Sequence, residues 1–296
     1  MKRVLPLLSL LILTAAPVIA KSAQKAAPKP ASVICDVTTD EEGESTLTVI
    51  AALHGKRWLS SEDAVGLLHE ADRLPLCTPQ GTPVGQVTLE DRGRLRSEVK
   101  DLQPGGEALQ FQASVQPSSG STEATTDRMA TRFATWSRGL PPPRWIRWTE
   151  LPEPAKGSPY WRVAEDWVRS RKLPARALET LRFVQAARAD VNGDGKGEVF
   201  LSFAGYSSAE GDWDNFKPYS CLLMRRVLPT GKVETVVLDD TSYPNYSAKI
   251  AGLCDLDYDG WAEAIVRVHG VDTWSVWLYR WNGRRFATMG AYGFSV

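Results

Sequence analysis

Two stretches, ADVNGDGKGEVFLSF at residues 189–203 and CDLDYDGWAEAIVRV at residues 254–268, decide how this chain is read. Both carry the pattern D-x-[DN]-x-[DN]-G-x-x-E, beginning at Asp190 and at Asp255, 65 residues apart. Oxygen-bearing residues alternating with spacers let a tightly curled loop aim its side chains at one centre. That is what a hard cation such as calcium needs for its roughly six to eight oxygen ligands. Gly195 and Gly260 at the sixth position permit the sharp turn, the seventh residue offers its backbone carbonyl, and Glu198 or Glu263 closes the shell. Without a cation the first loop crowds three carboxylates and the second four. An EF-hand would need an acid at the twelfth position, where Leu201 and Val266 stand, and helices on both sides, where these flanks read as strands.

Outward from the loops, the same order of segments occurs twice. FVQAARA leads into the first loop, VFLSFAG leaves it, SCLLMRRVL turns at Pro229–Lys232, and VETVVL returns. KIAGLC leads into the second, AIVRVHG leaves it, TWSVWLYRW turns at Asn282-Gly283, and RRFATM returns, the Asn-Gly pair favouring a tight hairpin. Two four-strand units, each with its acidic loop in the same place, read as an internal duplication.

Strand, acidic loop, strand in this form resembles the calcium loops of FG-GAP/VCBS repeats, the blades of integrin-α-type β-propellers. The resemblance covers roughly the last third of the chain. It implies that Asp190, Asn192, Asp194, Glu198 and the carbonyl of Lys196 hold one Ca²⁺, and that Asp255, Asp257, Asp259, Glu263 and the carbonyl of Trp261 hold another. Only two such loops are present, no convincing Phe-Gly/Gly-Ala-Pro signature precedes them, and Glu stands at the ninth position where Asp is commoner. A closed propeller needs about four or more blades, so the expectation is not a complete propeller. Four acids in the second loop, against three in the first with Arg188 and Lys196 close by, lead us to expect tighter binding in the second.

The rest of the chain divides more loosely. Residues 1–20, MKRVLPLLSLLILTAAPVIA, have the basic start, apolar core and small-residue end of a secretory signal peptide. Residues 21–32 read as a tether. Residues 33–118 mix strand-like runs with a helix start at Ser60-Ser61-Glu62-Asp63 and read as a small α+β domain. Residues 119–157, rich in Ser, Thr and Pro, read as a linker, and residues 158–296 as a helix followed by the duplicated β domain. The expected fold is therefore an α+β N-terminal domain followed by a mainly β C-terminal domain of two four-strand repeats. In the helix, Trp161, Ala164, Trp167 and Val168 fall on one face and are expected to pack against a sheet. Four cysteines in an exported chain favour disulfides, and pairing Cys35 with Cys77 and Cys221 with Cys254 keeps each bridge within one half.

Function is bounded by charge and by motif. With 35 basic against 35 acidic residues there is no cationic excess to displace counterions from phosphates, which argues against a nucleic-acid partner. No apolar run beyond the signal reaches spanning length, so no membrane span is expected after cleavage. The leading expectation is an exported, periplasmic or secreted calcium-binding protein with a structural or partner-binding role. Its partner would be a protein or a glycan, met by residues 210–216 or by Trp274, Trp277 and Trp281 unless these pack within the sheet. The alternative is an exported hydrolase with calcium as a structural ion. No G-x-S-x-G or H-E-x-x-H is present, and Glu165 and Asp166, adjacent on a helix, point in different directions.

Overall fold

A computed structural model describes residues 29–40, 43–95, 108–117, 131–205, 218–242, 246–270 and 273–295. The expected signal peptide, most of the tether, the Ser/Thr-rich part of the linker and the 210–216 stretch lie outside them.

The N-terminal half is a barrel. Its strands are β1 (Ala31–Thr39), β2 (Ser45–His54), β3 (Arg57–Ser60), β4 (Arg73–Cys77), β5 (Pro83–Leu95), β6 (Ala108–Pro117) and β7 (Arg132–Arg138). They run in the order β1-β7-β4-β5-β6-β2-β3, and β1 also pairs with β2, so six strands close a ring with no free edge. Alternate residues point inward: Val33, Cys35 and Val37 on β1 meet Leu47, Leu74, Leu76, Leu89 and Phe111 in the barrel core.

This overturns the α+β expectation. Strands make up 57% of the structure and helices 10%. The helix start at Ser60 is real, since its Oγ accepts a 3.4 Å bond from the Asp63 amide, but α1 (Ser61–Ala64) runs one turn and a 3-10 turn ends at Leu67. Barrel closure depends on β7, which pairs with β1 from about a hundred residues away, and no local pattern announces such a pairing. β7 itself belongs to the stretch read as a linker.

Two five-stranded sheets follow, built from β8 (Arg144–Trp145), β9 (Trp148–Glu150), β10 (Arg182–Ala189), β11 (Glu198–Gly205), β12 (Tyr219–Val227), β13 (Val233–Thr241), β14 (Ser247–Asp255), β15 (Glu263–His269), β16 (Thr273–Trp281) and β17 (Phe286–Ser295). Their orders, β13-β12-β11-β10-β9 and β17-β16-β15-β14-β8, are the same. Each has four consecutive strands and a short fifth that the sequence reading did not anticipate. The fifth strands come from the proline-rich connector, which carries the same dipeptide twice. Arg144-Trp145 sets Trp145 opposite Cys254, and Arg147-Trp148 sets Trp148 opposite Ala189.

The layers are joined face to face. Helix α2 (Pro159–Ser170), capped by Ser158 Oγ accepting from the Trp161 amide at 3.3 Å, places Ala164 and Val168 against Leu201, Phe203 and Cys221 of the first sheet. Trp167 meets Phe203 edge-on at 5.5 Å. The opposite face of that sheet packs on the second sheet through Phe200, Leu222, Met224, Ile250, Leu253 and Val266. The second sheet then packs on the barrel, with Ile265, Val276 and Leu278 against Ile34, Ile50 and Phe133. An ion pair between the buried Asp36 and the partly exposed Arg267 crosses this last interface. Arg267 Nη2 donates to both oxygens of Asp36 at 2.8 and 2.9 Å, its Nη1 reaches Thr131 at 2.7 Å, and the Tyr292 hydroxyl also donates to Asp36.

The disulfide expectation fails for a reason visible in the strand order. Cys35 pairs with Ala134 and Cys77 with Phe133, so β7 lies between the two cysteine-bearing strands. Two strand spacings are about 9.5 Å, beyond the roughly 7 Å Cα separation a bridge tolerates. Cys221 faces α2 and Cys254 faces the barrel from a different sheet. All four are buried free thiols, and burial pushes each thiol pKa upward.

Candidate metal centre

Each acidic loop joins the second and third strands of its sheet, counted from the short connector strand, and the two curl alike. Gly193 and Gly195 take positive φ of 72° and 81°, and the equivalent Tyr258 and Gly260 take 60° and 92°. Tyr258 is the costlier solution, because an L residue in the left-handed region loses roughly 1–2 kcal/mol relative to glycine. Its hydroxyl donates to the Pro141 carbonyl, which ties the loop to the connector. The loops also touch, the Ala262 amide donating to the Val191 carbonyl at 2.8 Å.

In the first loop the acids turn onto the loop's own backbone. Asp190 accepts from the amides of Asp194 (3.1 Å) and Gly195 (2.9 Å), Asn192 from Asp194 (3.0 Å), Asp194 from Lys196 (2.8 Å), and Glu198 Oε2 from Val191 (3.0 Å). Asp194 and Lys196 are exposed, while Glu198 is buried and its carboxyl pKa is raised by that burial.

The second loop gathers its acids. Asp255, Asp257 and Glu263 each present an oxygen, and these three atoms lie within 4.8 Å of one another, the single such group among the described residues. Calcium–oxygen bonds of about 2.3–2.6 Å keep ligand oxygens on one ion within about 5 Å of each other, so the spacing suits a divalent cation. Glu263 is fully buried and Asp255 only 4% exposed, yet Glu263 Oε1 and Asp255 Oδ1 have no hydrogen-bond partner. Buried polar atoms are nearly always satisfied. Two carboxylate oxygens of one buried acidic group that accept no hydrogen bond are donors suited to a cation. The other oxygens are engaged: Glu263 Oε2 accepts from the Leu256 amide at 2.7 Å, and Asp255 Oδ2 from Arg144 Nη2 at 3.3 Å.

Electrostatics agree with the crowding. Burial, reinforced by Asp257, Asp259 and Asp255, pushes the Glu263 carboxyl up to about 9. Asp255 and Asp257 are also raised, in both cases chiefly by burial. A group of acids this reluctant to ionise is one that a divalent ion would stabilise.

The expectation of two calcium sites, the second the tighter, is thus corrected to one cluster, in the second loop, that could hold a metal ion. Asp190, Asp194 and Glu198 do not form such a group, and Asp259 is not a member of the second cluster. Asp259 instead meets Arg280, and the Trp261 ring packs on Trp281 at 5.5 Å. Nor do the tryptophans offered as a docking surface stand free. Trp281 is buried, Trp277 stacks on Tyr279 and Trp274 meets Tyr292 edge-on. The residues that sequence reading passed over are the arginines at the site, Arg144 and Arg280. Both are visible in retrospect: Arg144 pairs opposite Asp255, and Ala264 pairs with Tyr279, which puts Arg280 alongside Glu263. Among protein-family models, curated proteins and solved structures, none matches this chain.

Proposed function

We propose that this chain is an exported calcium-binding protein in which one ion, held by the second acidic loop through Asp255, Asp257 and Glu263, serves a structural role. The observation that carries the reading is the grouping of Asp255, Asp257 and Glu263 within 4.8 Å, with two buried oxygens of that group, Asp255 Oδ1 and Glu263 Oε1, accepting no hydrogen bond. All-oxygen donors of carboxylate type favour a hard cation, calcium before zinc, and no His or Cys belongs to the group. Export rests on the pattern of residues 1–20, and it would place the loop where calcium is plentiful.

The ion's role follows from where the loop sits. Its ends are the last residue of β14 and the first of β15, it is tied to the connector through Arg144 and through the Tyr258 hydroxyl on Pro141, and its neighbour is the first loop. A cation there would lock connector, first repeat and second repeat together. Calcium that binds only the folded form raises stability in proportion to the logarithm of its concentration over its dissociation constant. A partner, protein or glycan, would then meet a surface whose shape depends on calcium. The test is thermal unfolding of the full chain with calcium and with chelator. Calcium should raise the midpoint of the wild type and of Asp190→Ala but not that of Asp255→Ala. A wild-type midpoint indifferent to calcium would remove the reading.

A further inference from the structure

In the second loop, backbone amides take one oxygen from each of two acids: Asp259 N–H donates to Asp257 Oδ1 at 3.2 Å, and Trp261 N–H to Asp259 Oδ1 at 2.9 Å. The remaining oxygens of these acids are both held by Arg280, whose Nε donates to Asp257 Oδ2 at 2.5 Å and whose Nη2 donates to Asp259 Oδ2 at 2.8 Å. The same Nε lies 3.9 Å from Glu263 Oε1, too far for a hydrogen bond but within the field of its charge. A guanidinium therefore holds the oxygens of Asp257 and Asp259 that the loop's own amides leave free.

The first repeat shows that this is not a requirement of the fold. Arg225 pairs with Val199 and Tyr279 with Ala264, so the next residues, Arg226 and Arg280, hold the same place in the two repeats. Arg226 does not turn to its loop. It donates to Glu234 Oε2 at 2.6 Å and lies over the rings of Trp281 and Trp261 at 4.6 and 5.5 Å. Only the loop with four acids has an arginine in its mouth.

Resting on the calcium reading of that loop, we infer that Arg280 is a tethered cation that competes with calcium for Asp257 and Asp259, so that the ion binds as the guanidinium leaves. Arg144 need not move, because it uses Asp255 Oδ2 and leaves Oδ1 to the ion. Arg280 is about one-third exposed and has solvent to swing into. The arrangement keeps the acidic loop ordered without metal and weakens calcium binding below what four carboxylates would give, which reverses the simple expectation from acid count. The arginine also discriminates by charge: a monovalent ion gains too little from the cluster to displace two charge-assisted bonds.

The experiment is calorimetric titration of calcium into the full chain as wild type, Arg280→Met and Arg280→Lys, with thermal unfolding of each in chelator. Met removes the competitor and should tighten the dissociation constant about ten-fold or more, the scale on which two charge-assisted bonds register. Lys keeps the charge without the fork and should fall between wild type and Met. In chelator Arg280→Met should melt below wild type, and saturating calcium should close that gap. Wild-type binding with an unchanged or weaker Arg280→Met constant would overturn the role of Arg280 and leave the calcium site standing. Absence of calcium binding in all three proteins would overturn the site itself, and the inference with it.

Discussion

Gln185 on β10 and Ile250 on β14 lie 65 residues apart in the chain, and they touch: the Gln185 amide donates to the Ile250 carbonyl at 3.2 Å and accepts from the Ile250 amide at 2.8 Å. One side chain thus imitates a strand neighbour and joins the first sheet to the second, helped by Ser202 Oγ donating to the Ala248 carbonyl. Gln185→Leu keeps the volume and orphans both backbone groups of Ile250, and it should cost about 1–3 kcal/mol. Chemical denaturation measures this, and a cost below about 0.5 kcal/mol would show that the sheets are held by apolar packing alone.

The ion pair between barrel and second sheet should be dearer to break. Asp36 is almost fully buried and satisfies Arg267 and the Tyr292 hydroxyl. Asp36→Ala strands a guanidinium at an apolar interface and should lose about 3–5 kcal/mol. The double variant Asp36→Ala with Arg267→Met removes both charges and should recover part of that loss in equilibrium unfolding. No recovery would mean that Asp36 acts through groups other than Arg267.

The thiols give a test of the strand order. All four cysteines are separate and buried, so a thiol reagent should label none of them rapidly in the native protein and all four after unfolding without reductant. Protection of Cys35 and Cys77 together under those conditions would indicate a bridge between them, and β7 could not then lie between their strands.

Acidity should act on the metal-free protein in a definite direction. The Glu263 carboxyl is raised to about 9 in the fold, against about 4.3 for an unfolded glutamate. Between these values the unfolded chain has lost a proton that the folded one keeps. The contribution to stability is complete below about pH 4 and is lost as pH rises towards 9. In chelator the melting temperature should therefore fall between pH 5 and pH 8. Calcium requires the carboxylate form, so the rise in midpoint that calcium produces should grow over the same range. A calcium effect that shrinks as pH rises would contradict the ligand role of Glu263.

How much of this was legible beforehand differs from one part of the chain to another. The strands around the acidic loops were readable because each unit pairs with its neighbour in sequence, as β10 with β11 and β14 with β15. The barrel was not. Its closure joins β1 to β7, and its outward residues Ile34, Ile50 and Phe133 are covered by the second sheet, so both faces are apolar and the alternation that marks a half-buried strand is lost. The short strands at Arg144-Trp145 and Trp148–Glu150 were masked by the prolines around them. At the site, the motif assigned an ion to each loop and ranked the second above the first by acid count, whereas only the second gathers three of its acids. The difference lies in burial and in Arg280, neither of which the nine-residue pattern contains.

Calorimetric stoichiometry tests the central claim most directly. Titrated with calcium, the full chain should bind one ion, Asp190→Asn should still bind one, and Asp255→Asn should bind none. No binding by the wild type, two ions per chain, or loss of binding in Asp190→Asn but not in Asp255→Asn would contradict the account.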